Sequence, residues 1–180
     1  MLQTFASPAY AQAYPPPDAE CVGFVTGGPN LTFRDGAEFD DVRTGLGRID
    51  CDGSGPTNIQ VQWGNGNGGT NTGHFTDLLA VNCCDDPAVT PDPPDACFDT
   101  ITGVATGTVN LAGRGGTVDA RLEFTFVDAG EPAAGADQAS LKITTDNGQT
   151  ILLNVRGTID PSNIQAHSDP NSECVCPECP

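Results

Sequence analysis

The chain has 180 residues, 24 acidic side chains against seven basic ones, and a formal net charge of −17. Such a surface repels phosphate backbones and anionic headgroups, which excludes nucleic acid and membrane surfaces as partners. No run of about 18 apolar residues is present to cross a bilayer. With 22 glycines, 15 prolines and no sustained helical period, the composition is that of a turn-rich all-β protein.

Taken in order, Met1 to Ala13 carry no charge. Ala11-Gln12-Ala13 has the form of a signal-peptidase site, but the residues before it lack a basic start, and Pro8 interrupts any apolar run. Tyr14-Pro15-Pro16-Pro17-Asp18 follows, and three successive prolines make a stiff polyproline II rod that projects the tail away from its own domain. Residues 1–20 are therefore expected to form an extended tail and stem, 21–167 a β domain and 168–180 a Cys-rich tail.

Val22–Thr26 and Leu31–Arg34 read as short strands, and 35–47 as an acidic, Gly-rich loop or short strands. Ile59, Val61 and Trp63 alternate with Asn58, Gln60 and Gln62, which places the apolar set inside. Gly64–Gly73 reads as a loop, and His74–Val81 as a strand with Phe75, Leu79 and Val81 inward. Four prolines stiffen the loop 85–99, and Ile101–Ala112 is a long strand of small and β-branched residues. The clearest stretch is Val118–Val127, where Val118, Ala120, Leu122, Phe124 and Phe126 face one way and Asp119, Arg121, Glu123 and Thr125 the other. Leu141 and Ile143, then Ile151, Leu153 and Val155, repeat the pattern around Asp146-Asn147-Gly148, a hairpin signal. About nine strands at this spacing predict a two-sheet antiparallel β-sandwich of immunoglobulin-like or jelly-roll-like type.

Val25-Thr26-Gly27-Gly28, Phe98–Gly103, Gly107–Asn110, the Asp128-Ala129-Gly130-Glu131-Pro132 turn with Asp137 after it, and Gly157 through His167 together resemble the small secreted bacterial β-sandwich repeats known as post-COAP-like domains. The resemblance spans roughly residues 22–167. It implies an extracellular module of a surface protein, without catalysis. The N-terminal tail and the Cys-rich end are additions to that pattern.

Eight cysteines imply up to four disulfides and an oxidising compartment. Adjacent Cys83 and Cys84 staple different elements; Cys51 and Cys97 are the expected partners, which leaves Cys21, Cys174, Cys176 and Cys179. The three C-terminal cysteines with His167 form a formal zinc set, but disulfides explain them better. Asp128, Glu131 and Asp137 are the candidate Ca²⁺ ligands, set against the reading that the turn bonds to its own amides. Asp40-Asp41 and Asp85-Asp86 are weaker candidates. Gly64–Gly69 matches a dinucleotide fingerprint formally, but no helix follows to hold pyrophosphate. His74 and His167 have no catalytic company, so no enzyme is expected. Asn30-Leu31-Thr32 is a sequon.

The functional expectation is an extracellular structural protein that polymerises with itself. Its tail would lie as an extended strand on the next subunit, anchored by Leu2, Phe5, Ala9, Tyr10 and Tyr14. Thirteen extended residues at about 3.3 Å each reach roughly 40 Å. The alternative is a surface module binding glycan or Ca²⁺ through Trp63, the Gly64–Gly73 loop and the acidic turns. No resident cofactor is expected beyond that Ca²⁺.

Overall fold

The computed structural model describes residues 22–28, 31–33, 42–89, 96–113, 115–130, 137–160, 163–168 and 176–179. The tail with its anchors Leu2, Phe5, Ala9, Tyr10 and Tyr14 lies outside them, as do Cys21, Asn30, Asp40, Asp41, Glu131 and Cys174. Among the described residues there are eleven strands and no helix. They are β1 (Gly23–Gly27), β2 (Leu31–Phe33), β3 (Arg43–Leu46), β4 (Ile49–Asp50), β5 (Ile59–Gly64) and β6 (Thr70–Cys84), followed by β7 (Thr100–Leu111), β8 (Gly116–Val127), β9 (Gln138–Thr145), β10 (Ile151–Asp160) and β11 (Ile164–Ser168).

The all-β class holds, while the arrangement differs from two stacked sheets. Eight strands close as a barrel in the order β10-β2-β3-β5-β6-β7-β8-β9, and β11-β1-β4 form a small sheet beside it. Alternating apolar residues suit a sandwich and a barrel equally, since both bury one face of each strand. Short β2 makes the difference, because it pairs with β10 through Ile159↔Phe33 and Asp160↔Thr32 and with β3 through Leu31↔Thr44 and Thr32↔Arg43. Val25, Ile49, Ile164 and Ala166 of the small sheet share one buried cluster with the barrel residues Trp63, Phe75, Leu122 and Leu141.

Periodicity translates directly into β8, whose Ala120, Leu122, Phe124 and Phe126 are buried and pair along all of β7 from Leu111↔Gly116 to Thr100↔Val127. The β9–β10 hairpin turns where expected: Gly148 has φ +69°, and the Asn147 side chain accepts from the Gln149 amide (3.1 Å) and the Thr145 hydroxyl (2.6 Å).

Three local expectations are corrected. Phe75 is buried but Leu79 is 50% exposed and Val81 only half-buried, because bulges between Phe75 and Asp77 and between Leu78 and Ala80 each shift the phase of β6. The Gly64–Gly73 loop is shorter than read. Asn65 closes a tight connection by accepting from the Asn67 and Gly69 amides (2.9 Å each), with Gly66 and Gly68 at positive φ, and β6 starts at Thr70. Finally, Ile164–Ser168, which the sequence reading assigned to no strand, is a strand paired with β1 from Gly27↔Ile164 to Gly23↔Ser168.

Two disulfides join described cysteines. Cys51–Cys83 matches the sequence reading, whereas Cys84 pairs with Cys179 rather than Cys97. The reason is local: Asp85 and Glu178 form a parallel bridge, the Asp85 amide donates to Pro177 O and the Cys179 amide to Asp85 O, each at 2.9 Å. That pairing lays the C-terminal segment against the end of β6. Cys176 is also disulfide-bonded, and its sulfur lies 3.7 Å from that of Cys97.

Candidate functional site

One end of the barrel gathers three buried carboxylates. Asp128, after β8, accepts from the Gly130 amide (2.9 Å) with Oδ1 and from the Ala166 amide (2.8 Å) with Oδ2. Asp137, before β9, accepts from the Ala129 amide (3.1 Å) and from the Ile164 amide (2.9 Å) in the same two-handed way. Both side chains are buried, at 6% and 3% exposure. Each of the four oxygens is thus aimed at a main-chain N–H, the turn-chemistry arrangement, and Glu131 lies outside the described residues. Among the described residues no three His, Cys, Asp or Glu side chains are grouped to hold a metal ion.

Asp99, before β7, is fully buried and accepts from the Asp86 amide (3.0 Å) and the Thr100 hydroxyl (2.6 Å). Burial is the leading influence and raises its pKa above 3.8; the bonds to Thr100 and Asp86 oppose this, while the charges of Asp85 and Asp86 add to it. In the window just above the ordinary value, folded Asp99 retains a proton that the unfolded chain has lost. Its contribution to stability therefore falls as pH rises through that window. Urea midpoints measured across it should show this fall in the parent protein and not in Asp99→Asn.

The other expected site residues are dispersed. Trp63 is 1% exposed and belongs to the core, so it offers no face for a sugar ring. His167 stacks on Phe24 (4.8 Å between centroids), and Arg48 covers the same ring at 3.8 Å while pairing with Asp50. With Cys176 and Cys179 both in disulfides, His167 is not part of a zinc set. His74, Asp77, Asp119 and Asp146 line an open groove of about 440 Å³ on the outside of β6–β8, with no buried polar group directed into it.

The strand edges are more informative, and periodicity had not singled them out. The outward amides of β11 at Ile164 and Ala166 are occupied by Asp137 and Asp128. Two-residue β4 ends in a turn in which Gly53 N donates to Asp50 O (3.0 Å). Beyond Phe75, β6 has no β5 partner, but two bulges, Asp77 and the Cys51–Cys83 bridge interrupt that edge. Such devices keep an edge from pairing with another chain.

From Leu153 to Thr158 β10 pairs in regular register with β9 on one side, and its described pairs with β2 on the other are Ile159↔Phe33 and Asp160↔Thr32. The Ile159 amide donates to Asp137 O (3.0 Å), so by alternation Val155 and Gly157 face β9 while Asn154 and Arg156 direct their N–H and C=O groups away from it. Their side chains are exposed, Leu153 and Val155 point into the core, and Ile151 at the start of the strand is 61% exposed.

Comparison with protein-family models, with curated proteins and with solved structures finds no match to this chain.

Proposed function

We propose that the protein is a non-enzymatic extracellular structural subunit that assembles head to tail, its uncharged N-terminal segment lying as an extended strand on the next copy. The observation that carries this reading is the contrast within the sequence: Met1 to Pro17 contain no charged side chain, in a chain of net charge −17. An extended segment docks through main-chain hydrogen bonds and apolar anchors and needs no charge to do so.

Charge selects the occupant. Copies carrying −17 repel one another, but Met1 to Pro17 contain no charged side chain and can approach without that penalty. Three successive prolines, Pro15 to Pro17, favour a stiff polyproline II stem between this segment and the domain. Contact between one copy's N-terminal segment and a different surface of the next would be heterologous, which yields an open filament when the rotation does not close. The two disulfides that fasten the end of β6 through adjacent Cys83 and Cys84 suit an oxidising, extracellular setting.

Phe5→Asp with Tyr10→Asp tests the tail, since it puts two charges into the uncharged segment. The variant should fold with the parent's circular dichroism and yield no fibres in negative-stain images. Fibres of parental length would refute a docking role for this segment.

A further inference from the structure

Glycine follows asparagine at three positions, Asn65, Asn67 and Asn147. In such a pair the glycine main-chain nitrogen can attack the asparagine side-chain carbonyl carbon, because no Cβ stands in its way. The reaction needs two freedoms: a side chain able to swing onto the following main chain, and a glycine N–H not held elsewhere. The three pairs differ in both.

Asn65 is fixed. Its Oδ1 accepts from the Asn67 and Gly69 amides (2.9 Å each), and its Nδ2 donates to Ala112 O (3.1 Å), which ties the β5–β6 connection to the residue after β7. Asn147 is exposed, yet its Oδ1 accepts from the Thr145 hydroxyl (2.6 Å) and the Gln149 amide (3.1 Å). The Gly148 amide, the nucleophile of that pair, donates to Thr145 O (2.7 Å). Asn67 has neither restraint. Among the described residues no hydrogen bond is made by its side chain or by the Gly68 amide, and both residues are exposed. The space beside Gly68 is open, with nothing within 4 Å of where a Cβ would stand.

We infer that Asn67 is a deamidation site, with water as its co-reactant. Gly68 N gives up its proton to solvent and bonds to Asn67 Cγ, the Cγ–Nδ2 bond breaks, and the departing nitrogen takes up a proton and leaves as ammonia. Water then opens the succinimide. Entry at Cγ yields aspartate, and entry at the main-chain carbonyl carbon yields isoaspartate. One water is consumed, one ammonia is released, one negative charge is added, and nothing is oxidised or reduced. In the isoaspartate form the chain runs through Cβ and Cγ, and the lengthened link lies between the two amides, of Asn67 and Gly69, that converge on Asn65 Oδ1.

Peptide mapping by mass spectrometry, on folded full-length protein held at mildly alkaline pH and body temperature, tests this. Conversion at Asn67 should exceed that at Asn65 and at Asn147 by about ten- to a hundredfold, because hydrogen bonds must break first at the other two. In protein reduced and unfolded in guanidinium the three rates should converge, since only the fold sets them apart. Asn67→Gln should keep the parent's circular dichroism and lose the first acidic species to accumulate on ion exchange. Equal rates in the folded protein, faster conversion at Asn65 or Asn147, or a ranking that unfolding leaves unchanged would overturn the assignment.

Discussion

Asp137→Ala is expected to lower the stability of the protein by about 2–5 kcal/mol, an unusually large effect for a polar residue outside any catalytic site. Its two oxygens hold the Ala129 and Ile164 amides, and Ile164 is buried, so the orphaned N–H cannot turn to water. Asp128→Ala should act similarly through the Gly130 and Ala166 amides. Asparagine is no rescue at either position, because its amide nitrogen would face an N–H donor. The double variant should cost less than the sum, since both residues fasten β11 to the same turn and losing one tie already loosens the other. Urea midpoints for the two single variants and the double variant decide it, and a change under about 0.5 kcal/mol for Asp137→Ala would show that these bonds are incidental.

Reduction should be the most damaging change of conditions. Cys51–Cys83 and Cys84–Cys179 close segments with sequence separations of 32 and 95 residues. Chain entropy alone assigns them about 4 and about 5 kcal/mol. For a chain of this length, losing both corresponds to a fall in Tm of about 15–30 °C. Melting followed by circular dichroism with and without a strong reductant measures this, and an unchanged Tm in fully reduced protein would contradict the assignment of these bridges as structural.

How far the sequence foretold this depended on whether a feature is local. Alternation in β8, β9 and β5 and the Asn147-Gly148 turn are set by neighbours in the chain, and each was legible. Leu79 was misassigned because a bulge leaves no mark on a pattern of apolar residues; it shows only as a register shift against β7. Barrel closure rests, among the described residues, on two residue pairs between β2 and β10, more than a hundred positions apart in sequence. The strand β11 was obscured by its polar surroundings, and it is held as much by the carboxylates of Asp128 and Asp137 as by β1.

The candidate sites divided in the same way. The Asp128–Asp137 turn was visible as a motif, but whether its oxygens face a cation or amides depends on where residues 164 and 166 lie. Trp63 looked available as a sugar platform because it borders a glycine loop, yet its place in the alternation with Ile59 and Val61 already put it inside.

The proposed assembly stands most directly on the N-terminal segment. In analytical ultracentrifugation the full-length protein should sediment as polymers, and protein lacking residues 2–13, folded as the parent by circular dichroism, as a monomer. A deletion variant that polymerises unaided would contradict the assembly of one copy's tail on the next.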